Sequence, residues 1–293
     1  LMKSSLLAFC FALLFIPAIS AQVVINEYSC SNLNQFADNY NKYEDWIELY
    51  NTSATPISLA GYFLSDDNDE PKKWPFPADA MIEGNGYLVV WASGRNEASG
   101  NFLHTSFKLT QSKNNPDHIV FTNPGGAFLA DIELSKTKLG HSMGRQTDGG
   151  SAWRIIATPT PGASNNNATS AIAYAARPDV SQDGGFFQDS IYVALSTSEP
   201  NATIRFTTNG SEPTSNSQIY STPIKITATT VLKAVTFSSN SLILRSFVQF
   251  NTYFINDTHH LPVVSIGSAQ VEDLANGNQD LRPQGSIEYF DTD

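Results

Sequence analysis

Cysteine is almost missing from this chain: 293 residues hold two, Cys10 and Cys30. Positive charge is also scarce, with 17 Lys and Arg against 28 Asp and Glu, a formal charge of -11. No run of Lys or Arg offsets that balance. Nucleic acids and anionic membrane surfaces are both held by basic patches, so neither is expected as a partner. Apolar runs stay short of the ~20 residues that a membrane-spanning helix needs. The five histidines, His104, His118, His141, His259 and His260, show no H-E-x-x-H or Cys/His spacing, which leaves a zinc site without support. Helical periodicity of apolar residues is lacking too, and that points away from helical architectures.

What is present begins with an export signal. Lys3 precedes an apolar run over residues 6–16, then Pro17 and the small-residue stretch Ala18-Ile-Ser-Ala21. A basic start, a short apolar centre and a small-residue end describe a secretory signal spanning 1–21, cleaved before Gln22. Phe9 before Cys10 does not fit a lipoprotein signal. The expected location is secreted or cell surface, with no membrane insertion after cleavage. Losing Lys3 makes the mature chain one unit more acidic. Cys30 then stands alone, so no intrachain disulfide forms, and a buried, inert thiol is expected. About 270 residues remain, enough for two domains held by packing alone.

The rest reads as short strands separated by turns. Val23-Val-Ile25 opens the first, and residues 29–42 form a polar, Asn-rich loop. Asp45-Trp-Ile-Glu-Leu-Tyr-Asn51 alternates with period two, placing Ile47 and Leu49 on one face and Trp46, Glu48 and Tyr50 on the other. Trp74-Pro-Phe-Pro77 is excluded from a central strand, because Pro lacks the donor a ladder uses. Gly84-Asn-Gly86 is a turn before the strand at Tyr87-Leu-Val-Val-Trp91. A hairpin is expected around Asn123-Pro-Gly-Gly126. Thr158-Pro-Thr-Pro-Gly162 closes the unit, and the small polar residues that follow suggest a linker. A second unit of about 80 residues starts near Pro178, with alternation at Ile191, Val193 and Leu195 and a turn at Asn209-Gly210, the size of a small sandwich.

Three resemblances follow from motifs. V-V-I-N-E-Y from Val23, D-W-I-E-L-Y-N from Asp45, G-Y-F-L-S-D-D from Gly61, K-W-P-F-P from Lys73, S-M-G-R from Ser142 and P-T-P-G from Pro159 together resemble the lamin tail domain. That domain is an Ig-like sandwich also found in secreted bacterial proteins, and the resemblance implies a binding or structural module with no shared catalytic centre. A-T-I-R-F-T-T-N-G-S-E-P-T from Ala202, I-Y-S-T-P-I from Ile219 and L-K-A from Leu232 resemble the small sandwich at the C-terminus of chitobiases and β-hexosaminidases. Phe206 and Asn209 stand where that family more often has Tyr and Asp. L-P-V-V-S from Leu261 and R-P-Q-G-S-I-E-Y-F-D from Arg282 are similar to the entry segment of CotH-type kinase-like proteins, whose nucleotide and metal motifs do not occur before Asp293.

Chemistry is thinly signalled. Gly140-His-Ser-Met-Gly144 fits the letters of a nucleophile elbow, but Arg-Gln-Thr-Asp-Gly-Gly-Ser after it cannot start the helix that the elbow requires. Ser142 is therefore read as structural, and no catalytic residue is assigned. Asp66, Asp67, Asp69 and Glu70 bring four carboxylates into five positions, candidate ligands for a structural calcium although the EF-hand glycine is absent and Pro71 follows. Trp46, Glu48 and Tyr50 form an aromatic and carboxylate stripe, either a contact surface for a partner or a set of cross-strand packing pairs. Tyr87 and Trp91 form a second such pair.

The sequence thus leads to an all-β chain of two antiparallel β-sandwiches: signal at 1–21, lamin-tail-like Ig-fold domain at 22–165, linker at 166–176, small fibronectin-III or Ig-like sandwich at 177–256, and a truncated CotH-like start at 257–293. No cofactor is expected beyond the calcium candidate. The function expected is non-catalytic contact with a surface protein or polysaccharide. The alternative is an accessory region of a CotH-like kinase whose catalytic part lies beyond residue 293.

Overall fold

The strand Asp45–Asn51 lies inside an eight-stranded sheet, with Val23–Ser29 on one side and Tyr87–Ala92 on the other. The computed structural model describes residues 22–112, 116–268, 270–278 and 285–291; the expected signal at 1–21 lies outside them. The sheet runs in the order Ser170–Ala171, Trp153–Ile156, Ser142–Arg145, Val23–Ser29, Asp45–Asn51, Tyr87–Ala92, Phe102–His104, Glu97–Ser99. All neighbours are antiparallel except Tyr87–Ala92 and Phe102–His104. Facing it is a four-stranded sheet of Phe128–Glu133, His118–Thr122, Phe63–Ser65 and Trp74–Pro75. Trp74–Pro75 takes the edge, where a missing Pro N–H costs the ladder nothing. Ile25, Ile47, Leu49 and Val90 from one sheet and Leu64, Trp74, Ile119 and Phe121 from the other share one buried core. Each such side chain contributes about 1.5–3 kcal/mol by leaving water.

The second face of Asp45–Asn51 is not free, contrary to the contact-surface reading. Trp46 and Glu48 are fully buried and only Tyr50 is partly open. Two irregular segments cover this face. Phe36, from the Asn-rich loop, stacks on Trp91 at 4.9 Å between ring centres and meets Trp46 edge-on at 6.3 Å. The Pro-rich segment 158–166 lies over Glu27 and Glu48. Period-two alternation marks two faces, but it does not say whether the polar one meets water.

The residues expected as a linker at 166–176 take part in regular structure. Asn165–Asn167 forms a 3-10 turn capped by Ser164, Ser170–Ala171 joins the eight-stranded sheet, and Ala173–Tyr174 pairs in parallel with Ile243–Leu244 of the second unit. Small polar composition is compatible with mobility, but here those residues are the ones short enough to cross between two sheets.

The second sandwich is built on a five-stranded sheet, Gly185–Phe187, Gln249–Ile255, Thr230–Phe237, Thr203–Thr207 and Gln218–Ile219. Leu232, Ala234, Tyr253 and Ile255 face Val193, Leu195 and Ile226 in its core. The opposite face of this sheet is covered by a hairpin of Val263–Ser268 and Gly285–Phe290. Beneath the hairpin, Thr252 N–H donates to Glu288 at 2.6 Å and Phe290 meets Phe254 edge-on. Lys233 is fully buried there and ends on Glu212 at 2.7 Å. The one described α-helix, Val271–Ala275, is a single turn and a half, and no helix among the described residues is long and apolar enough to cross a membrane.

Candidate functional site: the outer face of the eight-stranded sheet

Three carboxylates converge on the covered face, brought there by a bulge. Register along Val23–Ser29 and Asp45–Asn51 passes from Ile25 opposite Leu49 to Glu27 opposite Glu48, so Asn26 is the extra residue. A bulge turns two successive side chains to the same side. Asn26 and Glu27 thereby both join Glu48 on the outer face. Asn26 Nδ2 donates to Glu48 Oε1 at 3.0 Å and to Asp148 Oδ1 at 3.0 Å, while its Oδ1 accepts from Gly149 N–H at 3.1 Å.

The Pro-Thr-Pro-Gly segment supplies the rest. Pro159 and Pro161 have no N–H, so Thr160 and Gly162 carry the donors of this tetrapeptide. Thr160 N–H and Oγ donate to Glu27 at 3.1 and 2.8 Å, and Gly162 N–H donates to Glu48 at 2.7 Å. Ser142 Oγ completes Glu27 at 2.5 Å. Ser142 stands in a strand and is buried, with a carboxylate rather than an imidazole on its hydroxyl, so the nucleophile-elbow letters have no elbow beneath them.

Electrostatics follow from burial. Leaving water disfavours a carboxylate, and it raises Glu27 above its usual range and pushes Glu48 up to about 8, with the Glu27 charge adding to the effect. Burial works against Asp148 as well, but hydrogen bonds from Ser164, Tyr87, Asn165 and Asn26 outweigh it and hold this acid below its ordinary value. Tyr87 donates to Asp148 at 2.7 Å, and its phenol is held well above the usual range by burial and that bond. Tyr50 and Tyr87 pack at 5.0 Å between centres and are the partly open remnant of the expected stripe.

The acidic turn does not assemble a cation site. Asp66 pairs with Lys73 at 2.7 Å, Asp67 accepts from the Asp69 N–H at 2.9 Å, and Asp69 and Glu70 point to solvent. No three His, Cys, Asp or Glu side chains converge to hold a metal among the described residues. Adjacent like charges repel, and the Lys73 ammonium draws Asp66 away to its own partner.

A seam joins the two sandwiches. Lys138 Nζ donates to the carbonyls of Arg245 and Ser246, both at 2.8 Å, and lies over the rings of Tyr174 and Phe247. The Tyr174 hydroxyl is held on the first sandwich, accepting from Lys138 N–H at 3.1 Å and lying 2.8 Å from His141 Nδ1, while its ring meets Phe247 edge-on. Burial, helped by the nearby Arg245 charge, lowers Lys138 to about 8.

Two domain families match. Residues 17–145 match the family described as Lamin Tail Domain, and residues 182–242 match the Chitobiase/beta-hexosaminidase C-terminal domain. The chain thus carries the two sandwich-like domains in the order that the motifs implied, within a nearly all-β fold. No curated protein and no solved structure matches it. The lamin tail match stops at Arg145, yet the sheet continues through Trp153–Ile156 and Ser170–Ala171. The Pro-Thr-Pro-Gly clasp lies in this continuation. Neither match reaches the hairpin after residue 257.

Asn26, Glu27, Asp148, Thr160 and Asn165 were not singled out as site residues from sequence. A signal was present. Glu48 is flanked by Ile47 and Leu49, and Asn26-Glu27 follows Val-Val-Ile, so polar groups stand where strands are buried, and buried carboxylates must find donors.

Proposed function

We propose that this chain is a secreted or cell-surface, non-catalytic binding module that contacts a surface protein or polysaccharide through a fixed pair of β-sandwiches. The observation that carries this reading is the use made of the outer-face carboxylates. Glu27, Glu48 and Asp148 accept hydrogen bonds from the chain's own backbone and side chains, a structural use that supports the non-catalytic reading. The seam through Lys138 and Tyr174 supports the second half of the reading, because it sets the angle at which the two units are presented. The test is a glycan array together with cross-linking to intact cells, using residues 22–293. Retention on a defined glycan or surface protein supports the proposal, and uniform absence of both sinks it.

A second reading has one observation in its favour. The hairpin after residue 257 turns Val264, Ile266, Ile287 and Tyr289 outward, at 52, 54, 70 and 63% exposure. Such a face suits a further layer of protein, as an accessory region ahead of a CotH-like kinase would have. The reading frame after Asp293 decides this: acidic metal ligands in a kinase-like domain favour it, and a stop codon ends it.

A further inference from the structure

Where the two sandwiches and the C-terminal hairpin meet there is a cavity of about 440 Å³, within the range of small-ligand sites. Four cations line it: Lys136, Lys138, Arg177 and Arg245. They gather here from a chain with a formal charge of -11. None of the four has a carboxylate partner among the described ion pairs. Two acids share the lining, and both are weak counterweights. Glu212 is engaged by Lys233 at 2.7 Å, and burial raises Asp45 to about 7 as it lowers Lys138 to about 8, so the positive balance rests on Lys136, Arg177 and Arg245. The cavity is therefore a positive pocket in a negative surface, which focuses anions of low charge and repels long polyanions.

Its shape narrows the ligand further. Arg245 is oriented by donating Nη1 to the Pro213 carbonyl at 2.9 Å, and Lys138 is fixed by two carbonyls, so these charges are already placed. Phe247, Leu33 and Val248 add apolar wall beside them. A guanidinium matches a carboxylate as a two-pronged donor, and an apolar wall suits the C–H face of a sugar ring. An inorganic anion would use the first feature and waste the second.

We propose that this inter-sandwich cavity binds a uronate, the carboxylate-bearing sugar of an acidic oligosaccharide, with Arg177 and Arg245 taking the carboxylate and Phe247 facing the ring. The proposal rests on the reading of the chain as a binding module and names its ligand class.

Calorimetry on residues 22–293 tests it, with trigalacturonate as probe and cellotriose, triglutamate and inorganic sulfate as comparisons. The expected result is binding of trigalacturonate alone, weakened at least tenfold in Arg177→Ala and in Arg245→Ala with unchanged melting temperature. Arg177 is exposed, so its variant folds even if Arg245→Ala does not. Equal binding of cellotriose, triglutamate or sulfate overturns the proposal, as does indifference to both substitutions. A wild-type chain that retains a different glycan on the array, unaffected by either variant, removes the cavity and leaves the module reading standing. A chain that binds nothing on the array or on cells removes both.

Discussion

Glu48 accepts a hydrogen bond at 2.7 Å from the backbone of Gly162, a residue 114 positions later in the chain. This contact, with that of Glu27 to Thr160, closes the segment 158–166 over the outer face of the first sandwich. Burial of the two carboxylates, which outweighs these hydrogen bonds, makes stability depend on pH in an unusual direction. Glu48 has its folded value raised from 4.5 to about 8, so the folded state holds a proton that the unfolded state gives up. The resulting stability is complete below about pH 4.5 and is lost as pH rises through about 8; Glu27, also raised, acts in the same sense. Asp148 is shifted the other way, and its contribution fades only in stronger acid. Urea unfolding at pH 5, 7 and 9 is expected to show falling stability. Glu48→Gln loses one acceptor, costing about 1 kcal/mol at pH 5, but flattens the pH slope so that the variant matches or exceeds wild type by pH 9. An unchanged slope in the variant refutes this assignment.

Gly144 is needed for space rather than for backbone freedom. A Cβ there would stand 2.4 Å from Ile156 Cδ1 and 2.9 Å from Asn165 Nδ2, the second of which faces the clasp. Overpacking of this kind costs about 1–3 kcal/mol. Gly144→Ala is expected to fall in that range by chemical denaturation, with elastase cutting within 158–168, at Ala163 or Ala168, before the core. A stability equal to wild type would show that Ile156 moves aside freely.

These two cases also mark how much was legible. The strand at 45–51, the hairpin at 118–133 and both sandwich units follow from period-two patterns and turn residues, because those signals are local. The covering of the outer face is not local. Phe36 reaches Trp91 from a loop, and Thr160 reaches Glu27 across 133 positions. Nothing in a polar loop's composition says which face it will cover. The stripe Trp46, Glu48, Tyr50 was therefore open to two readings, and burial settles it for the first two residues. The calcium candidate rested on a local pattern instead. Spacing showed carboxylates near in sequence, whereas ligation needs a backbone that bends them together.

The seam between sandwiches should act as one cooperative joint. Lys138→Met removes two charge-assisted hydrogen bonds to the second unit while keeping a long apolar stem over Tyr174 and Phe247. A loss of about 2 kcal/mol is expected at the joint. Calorimetric melting should pass from one transition to two, and small-angle scattering should show a wider distribution of distances. A single sharp transition with wild-type scattering would mean that Ala173–Tyr174 and Ile243–Leu244 suffice to hold the pair.

For the acidic turn the expected outcome is silence. Asp66 is already paired with Lys73, and Asp69 and Glu70 face water. Titration with calcium should release no heat, and chelation should leave the melting temperature in place. Lys73→Ala should cost no more than about 0.5 kcal/mol, as usual for a solvent-exposed pair. A calcium-dependent rise in melting temperature that is lost in Asp67→Asn would reverse this.

The Cys30 thiol gives a direct probe of how tightly the first sandwich is closed. Cys30 is a free, buried cysteine beside the inter-sandwich cavity. Burial, reinforced by the charge of Asp45, drives its ionisation far above the usual thiol range. The thiolate is the reactive species, so both access and ionisation oppose modification. A thiol reagent such as dithionitrobenzoate should react stoichiometrically in denaturant and negligibly in buffer at pH 8, and no disulfide-linked dimer should form in air. Should Lys138→Met raise the native rate while leaving the rate in denaturant unchanged, the barrier protecting Cys30 is the seam itself. Rapid reaction of the wild-type chain would show that residues 30–33 open far more often than their packing allows.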